Sequence, residues 1–340
     1  MIGVRKTLSV HRMHRIARLP VVVLMPHSAC NCRCVMCDIW KANSHKQELA
    51  REDLAPHLEG FRKLEVQEVL LSGGEALMHS NLWTLCALLK ELPVRITLLS
   101  TGLMLERHAV EILQWCDEVI VSLDGSREVH DAIRNVPRAY ERLAQGVAAL
   151  KRLDPGFRVT GRCVIQRRNF DELSNIVAAA HTLGLDRISF LAADVSTTAF
   201  NRPVPWANER VTDVALSPHE AIELARILEQ FFLDHVRDFH SGFIAEAPQK
   251  LRRLPRYFAA LHGRGEFPEN RCNAPWVSTV VEADGTVRPC FFHRSLGNLR
   301  EQPLEAILNS EEALAFRRQL EVKTDPICRR CSCTLYLKPK

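Results

Sequence analysis

The stretch "HSACNCRCVMCDIW", His27 to Trp40, holds cysteines at 30, 32, 34 and 37. Directly before it, Val21–Met25 is an apolar run of strand length. A thiol-rich loop at the carboxyl end of a first strand gains meaning from the elements downstream of it. Strands are predicted at Glu68–Ser72, Arg95–Ser100, Glu118–Leu123, Arg158–Ile165 and Arg187–Leu191. Helical stretches are predicted between them, near 51–63, 82–92, 106–115, 139–153 and 171–183. Strand and helix alternating through six units predict a parallel sheet with right-handed crossovers. In such sheets the loops at the strands' carboxyl ends build the site. The distinctive loops lie there: the thiols after strand one, Gly73-Gly74-Glu75 after strand two, Ser100-Thr101-Gly102 after strand three and Asp124-Gly125 after strand four.

Composition narrows the class. The 340 residues are 46% hydrophobic and 25% charged, ordinary values for a globular chain. A net charge of +5 gives no ground for a nucleic-acid partner. No apolar run reaches the length of a membrane span, and no signal-peptide core follows the basic first 18 residues, so a cytoplasmic location is expected. That basic segment reads as a helix packed on the main domain, or as a basic helix lying on a membrane surface. Of 12 cysteines, four lie at 30–37 and five at 272, 290, 328, 331 and 333; Cys86, Cys116 and Cys163 sit in apolar patterns as core thiols. Thiol clusters without a secretory signal point to metal rather than disulfides.

Cys30, Cys34 and Cys37 are spaced C-x3-C-x2-C. Three thiolates suit three corners of an iron–sulfur cluster and leave one iron open. Structural zinc needs a fourth ligand, which His27 or Cys32 would supply. Spacing leaves both readings open.

The neighbouring loops add to this. "ACNCRCVMC" resembles the Cys-Asn-Leu-x-Cys-x-x-Cys mark of radical S-adenosylmethionine (SAM) enzymes, with Cys32 at the leucine position. "LLSGGEAL" at 70–77 resembles that family's Gly-Gly-Glu-Pro motif, with Ala76 for proline. "LSTGL" at 99–103, "VSLDG" at 121–125 and "HDAIR" at 130–134 are similar to later family motifs, in order. The resemblance covers residues 19–195 and implies a partial (βα)6 TIM-like barrel of the α/β class. It also implies that Cys30, Cys34 and Cys37 hold a [4Fe–4S] cluster whose open iron chelates SAM, with Cys32 a bystander. Gly73, Gly74 and Glu75 would meet the methionine ammonium, Ser122 the ribose or carboxylate, and Arg134 the carboxylate. Met36 stands where an aromatic residue commonly contacts adenine, and a thioether also packs on a ring. The cofactor pair supplies a 5′-deoxyadenosyl radical that abstracts hydrogen from a substrate carbon. Asp194, just past strand six, is the one candidate acid–base group.

Beyond Asp194 the pattern changes. Ser217-Pro218-His219-Glu220 reads as a capping box ahead of a packing helix carrying Ile222, Ala225, Leu228, Phe232 and Val236. Lys250–Arg256 is a basic segment, read as a solvated face or a substrate-phosphate contact. A hairpin is predicted around Asp284-Gly285, then a helix over 303–320. Cys272-x12-Gly285-x4-Cys290, followed by Cys328-x2-Cys331, resembles the twitch form of the SPASM domain. That implies a small C-terminal α+β domain with an auxiliary [4Fe–4S] cluster on Cys272, Cys290, Cys328 and Cys331, Cys333 being spare or exchanging with Cys331. The organisation expected is a basic extension (1–18), the barrel (19–195), a linking helical segment (196–265) and the auxiliary domain (266–340).

Family relatives oxidise aminocyclitol sugars or modify ribosomally made peptides. Peptide modifiers often carry a recognition domain ahead of the barrel, and 18 residues precede the barrel region here. Oxidation or rearrangement of a sugar-like or other small metabolite is therefore the leading expectation, with peptide maturation the alternative. The family implies a flavodoxin or ferredoxin electron donor. A non-catalytic zinc-binding protein is the reading of another class.

Overall fold

A computed structural model describes residues 14–338; the reading of the basic extension lies, for residues 1–13, outside them. Six parallel strands follow in sequence: β1 (Val21–His27), β2 (Glu68–Gly73), β3 (Arg95–Ser100), β4 (Glu118–Ser122), β5 (Val159–Ile165) and β6 (Arg187–Ala192). Three short strands complete the set: β7 (Ser278–Val281), β8 (Thr286–Arg288) and β9 (Gly297–Asn298). All nine form one sheet in the order β6-β5-β4-β3-β2-β1-β7-β8-β9. β7 runs parallel to β1, with Val21 opposite Ser278 and Leu24 opposite Val281. The C-terminal hairpin thus extends the barrel sheet directly.

The strands form where β-branched and leucine runs bury both faces, the mark of a covered parallel sheet. Val22, Leu24, Val69, Leu71, Ile96, Leu98, Val119 and Val121 are all fully buried in the main core. Val21, Val23 and Val280 face the other way, into a second cluster with Met25, Leu70 and Phe291.

The helices used below are α1 (Leu58–Lys63), α2 (Leu82–Leu89), α3 (Ala109–Trp115), α4 (Arg127–Arg134), α5 (Ala139–Leu153), α6 (Leu173–Thr182), α7 (Pro218–Asp234) and α8 (Arg253–Leu261). The single helix expected over 51–63 is interrupted by a 3-10 turn at Ala55–His57, because Pro56 has no N–H to continue the ladder. The helix expected over 303–320 is likewise two, Leu304–Leu308 and Glu311–Gln319, the second capped by Ser310. The hairpin turn forms as expected, with Gly285 at φ +85°.

The capping box is present: Ser217 Oγ accepts from the Glu220 N–H at 3.3 Å, and Glu220 Oε2 from the Ser217 N–H at 2.7 Å. The apolar stripe of α7 departs from expectation. Ala221, Leu224, Leu228 and Phe231 are buried, whereas Ile222 and Val236 are exposed. The buried set keeps strict i, i+3, i+4 spacing and faces α8; Val236 lies past the end of the helix. Ser217→Ala should cost about 1 kcal/mol of stability, read as a lower urea midpoint at unchanged slope.

Candidate active site

The thiol loop leaves β1 and is fastened on three sides. The Asn43 side chain brackets Cys30, accepting from its N–H and donating to its carbonyl, each at 2.9 Å. Ser28 N–H bonds Gln47 O, and Arg33 and Val35 N–H groups bond the carbonyls of Arg134 and Ile133 at the end of α4. This sets the sulfurs. Cys30 Sγ accepts from the Cys32 N–H at 3.5 Å, Cys37 Sγ from the Ile39 N–H at 3.4 Å, and Cys34 Sγ from the Arg134 guanidinium at 3.5 Å. All three are free thiols. Burial pushes the Cys30 thiol up to about 12 and the Cys37 thiol up to about 11. Three sulfurs in one loop, each met by an N–H donor and two of them disfavoured as bare ions by burial, fit the requirements of a metal cluster.

Cys32 is 1% exposed and lies two residues from Cys34; its thiol, against burial and with help from Arg134, brings the Cys34 thiol down to about 7.

The second loop abuts the first. Gly73 has φ +112°, and Gly74 donates to His27 O at 3.2 Å. A Cβ at Gly74 would lie 2.0 Å from Ala29 O and 3.1 Å from Cys30 N, so only glycine lets the two loops touch. Gly74→Ala should displace the thiol loop, losing first-loop iron and weakening SAM binding at least about tenfold. Iron analysis and equilibrium dialysis check this; unchanged values would sink it.

Glu75 is 0% exposed. Its carboxylate accepts from Leu77 N–H, Ser100 Oγ, Thr101 N–H (2.7 Å) and Thr101 Oγ1 (2.6 Å). Burial nonetheless holds its pKa above the ordinary value. In this geometry Glu75 ties the β2 loop to the end of β3, and the backbone of Gly73-Gly74 is the part it presents. Ser122 is the last residue of β4, opposite Arg162 of β5. Met36 is 9% exposed and packs in the main core beside the thiol loop.

Arg134 is buried against Asp124, its ion-pair partner, as well as against Cys34. Burial works against its charge, but Asp124 and the Cys34 sulfur outweigh that and hold it firmly protonated. Its guanidinium therefore lies at the first-loop sulfurs, held from the end of β4. Asp124 also accepts from Val164 N–H, so it ties the end of β4 to β5.

Asp194 does not serve as the free acid–base group expected of it. It pairs with Arg202 at 2.9 Å and accepts from Thr197 Oγ1, at 6% exposure. Arg202, 3% exposed, also donates to Met36 O at 3.2 Å and lies 3.8 Å over the Trp206 ring. Trp206 Nε1 donates to Asp38 Oδ2 at 2.7 Å, and Arg210 to Val35 O at 3.0 Å. The segment 194–210 is thus clamped onto the thiol loop. No pattern in the sequence marks this clamp.

The C-terminal thiols gather around the hairpin. Cys272 Sγ accepts from Ala274 N–H at 3.5 Å, and His293 Nε2 lies 3.3 Å from Cys328 Sγ. Asn270 donates to the carbonyls of Cys328 and Cys331, and Asp325 caps the turn bearing Cys328. Burial raises the Cys290, Cys328 and Cys331 thiols, Cys290 to about 11. The donor set suits a second iron–sulfur cluster, with Cys333 adjacent: its carbonyl accepts from the Cys331 thiol at 3.0 Å. A cavity of about 770 Å3 opens beside Gly74, between the thiol loop, the clamp segment and the hairpin.

Two thiol sites at one mouth of a parallel barrel, the first beside a glycine cradle, define an iron–sulfur enzyme. The Radical SAM superfamily model matches residues 24–180, and the iron–sulfur cluster-binding SPASM model residues 272–332. The chain belongs to the radical SAM superfamily, carries a SPASM domain, and binds [4Fe–4S] clusters and SAM. It is similar to an AdoMet-dependent heme synthase of Methanosarcina barkeri (strain Fusaro / DSM 804), 25% identical over 86% of this chain and 82% of the relative. It is similar to the sporulation killing factor maturation protein SkfB of Bacillus subtilis (strain 168), 22% identical over 90% of this chain and 67% of that one. The crystal structure of Streptococcus suis SuiB bound to precursor peptide SuiA shares the fold, with TM-score 0.67 at 14% identity over 98% of this chain and 75% of that one. Membership overturns the reading as a non-catalytic zinc protein. Among the described residues, no helix is long and apolar enough to cross a membrane.

Proposed function

We propose that this radical SAM enzyme oxidises or rearranges a small metabolite bearing acidic groups, with the auxiliary cluster in reach of the reaction. The observation that carries the reading is the 770 Å3 cavity beside Gly74, a size suited to a small ligand. Its walls come from both thiol-bearing regions and include Phe200, whose ring stacks on Phe291 at 6.4 Å. His27, Lys41, His45 and Arg288 supply polar and cationic groups among these aromatics. When bound, the SAM–cluster pair supplies the hydrogen-abstracting radical. The protein's part is to hold the substrate carbon in place and exclude water.

In this reading Cys30, Cys34 and Cys37 hold the first cluster, and Cys272, Cys290, Cys328 and Cys331 the auxiliary one. Gly73-Gly74 takes the methionine ammonium, positioned by Glu75. Ser122 bonds the ribose or carboxylate, Arg134 reaches the carboxylate from its place at Cys34, and Met36 packs near adenine. The barrel occupies 19–195, a linking segment 196–265 and the auxiliary domain 266–340, and a flavodoxin or ferredoxin delivers the electron. The heme synthase relative, matched over most of both chains, favours a carboxylated metabolite over a sugar. The SkfB relative favours the second reading, maturation of a ribosomally made peptide. Anaerobically reconstituted enzyme with dithionite and SAM tests the two. 5′-Deoxyadenosine released in step with loss of a carboxylated tetrapyrrole supports the first; release only with a cysteine-containing peptide overturns it.

A further inference from the structure

A second cavity, of about 160 Å3, lies away from Gly74, between the β5–β6 edge and the C-terminal thiol segment. Four cations line it, Arg162, Lys250, Arg253 and Arg329, against one carboxylate, Glu246. Two of the cations are engaged. Arg253 donates to Glu269 O and Asn270 Oδ1, each at 2.7 Å, and Arg329 pairs with Glu266 at 2.6 Å. Lys250 lies 3.4 Å from Glu246, but that carboxylate also accepts from Phe190 N–H at 2.9 Å. Arg162 stands apart. It is half-buried and has no carboxylate partner among the described residues. A half-buried guanidinium without a counter-charge, beside an incompletely neutralised ammonium, is an arrangement completed by an external anion.

The position suits a substrate. Arg162 is opposite Ser122 on one side and Ser189 on the other, and directly opposed residues share a face of the sheet. The cavity reaches from that row to Cys331 and Cys333. An anion held here would fix one end of a molecule between the strand end bearing Ser122 and the auxiliary thiols.

We propose that Arg162 and Lys250 form an anion anchor in this cavity, taking a carboxylate or phosphate group of the substrate and orienting it between the two thiol sites. The inference rests on the small-metabolite reading and gives the basic 250–256 segment a partner on β5. Arg162 supplies a planar two-pronged donor and Lys250 a mobile point charge, so a carboxylate or phosphate oxygen pair is the chemistry recognised.

The test is anaerobic calorimetric titration of the reconstituted protein with succinate and, separately, inorganic phosphate. Wild type should bind one of them, and the better one names the group. Arg162→Met and Lys250→Met should each weaken binding about ten- to a hundredfold, and the double variant should abolish it. Arg162→Lys, which keeps the charge and loses the fork, should recover part of the loss and guards against a folding artefact. Failure of wild type to bind either anion, or unchanged affinity in both methionine variants, would overturn the anchor. Binding that follows Arg162 in an enzyme that turns over only peptides would support the anchor and overturn the small-metabolite reading, so the two fail separately.

Discussion

Replacing Cys30, Cys34 and Cys37 together by alanine is expected to halve the iron of the reconstituted protein, from about eight to about four per chain, and to abolish 5′-deoxyadenosine formation. The two outcomes are linked but independent. Iron remaining in the mutant belongs to the C-terminal thiols, which lie outside the first loop and have their own donors in His293 and the Ala274 N–H. Loss of SAM cleavage assigns the radical chemistry to the first loop. The fold should tolerate the change, because the loop is held mainly by backbone and Asn43 bonds that alanine leaves intact. A mutant that keeps about eight irons, or still forms 5′-deoxyadenosine, would refute the assignment.

The second large effect concerns Arg202. Its removal as Arg202→Ala strands Asp194 at 6% exposure with hydroxyl and backbone donors only, and frees the Met36 carbonyl. Breaking a buried pair by deleting one partner costs about 3–5 kcal/mol. The cost should fall locally, on the clamp over the thiol loop, before it falls on the barrel. Protease cleavage within 195–206 and a faster loss of first-loop iron in air are therefore expected, with the auxiliary cluster retained. The double variant Asp194→Asn/Arg202→Met, which removes the stranded charge, should recover part of the stability. An Arg202→Ala protein with wild-type unfolding midpoint and iron retention would show that the clamp does not hold the loop.

Much of this architecture can be read from the chain itself. Parallel strands are short apolar runs bounded by polar loops, so all six fall within two residues of their expected places. The loops carrying thiols and glycines sit at strand ends, where the sheet's polarity requires the site to be. The features that the sequence hides have physical causes. α4 is a short, strongly amphipathic helix inside a motif segment, and its pattern is too brief to count. The stripe of α7 misleads because Ile222 and Val236 are apolar yet exposed. The Arg202–Asp194 clamp and the Asp124–Arg134 pair form only once the chain folds: nothing in either residue's own neighbourhood names its partner. The pairing of β7 with β1 is hidden for the same reason, since apolar strands carry no label for a distant partner.

That pairing has a consequence for how the chain is made. β1 cannot gain its β7 neighbour until Ser278 exists, 257 positions after Val21. At a synthesis rate of about 5–20 residues per second, the first strand waits roughly 13–50 s with one ladder edge bare, beside the free thiols of its own loop. An uncovered apolar edge recruits other chains. Nascent chains stalled before Ser278 should therefore be the aggregating species, and supply of a chaperone during translation should govern the yield of this enzyme more than any treatment of the finished protein.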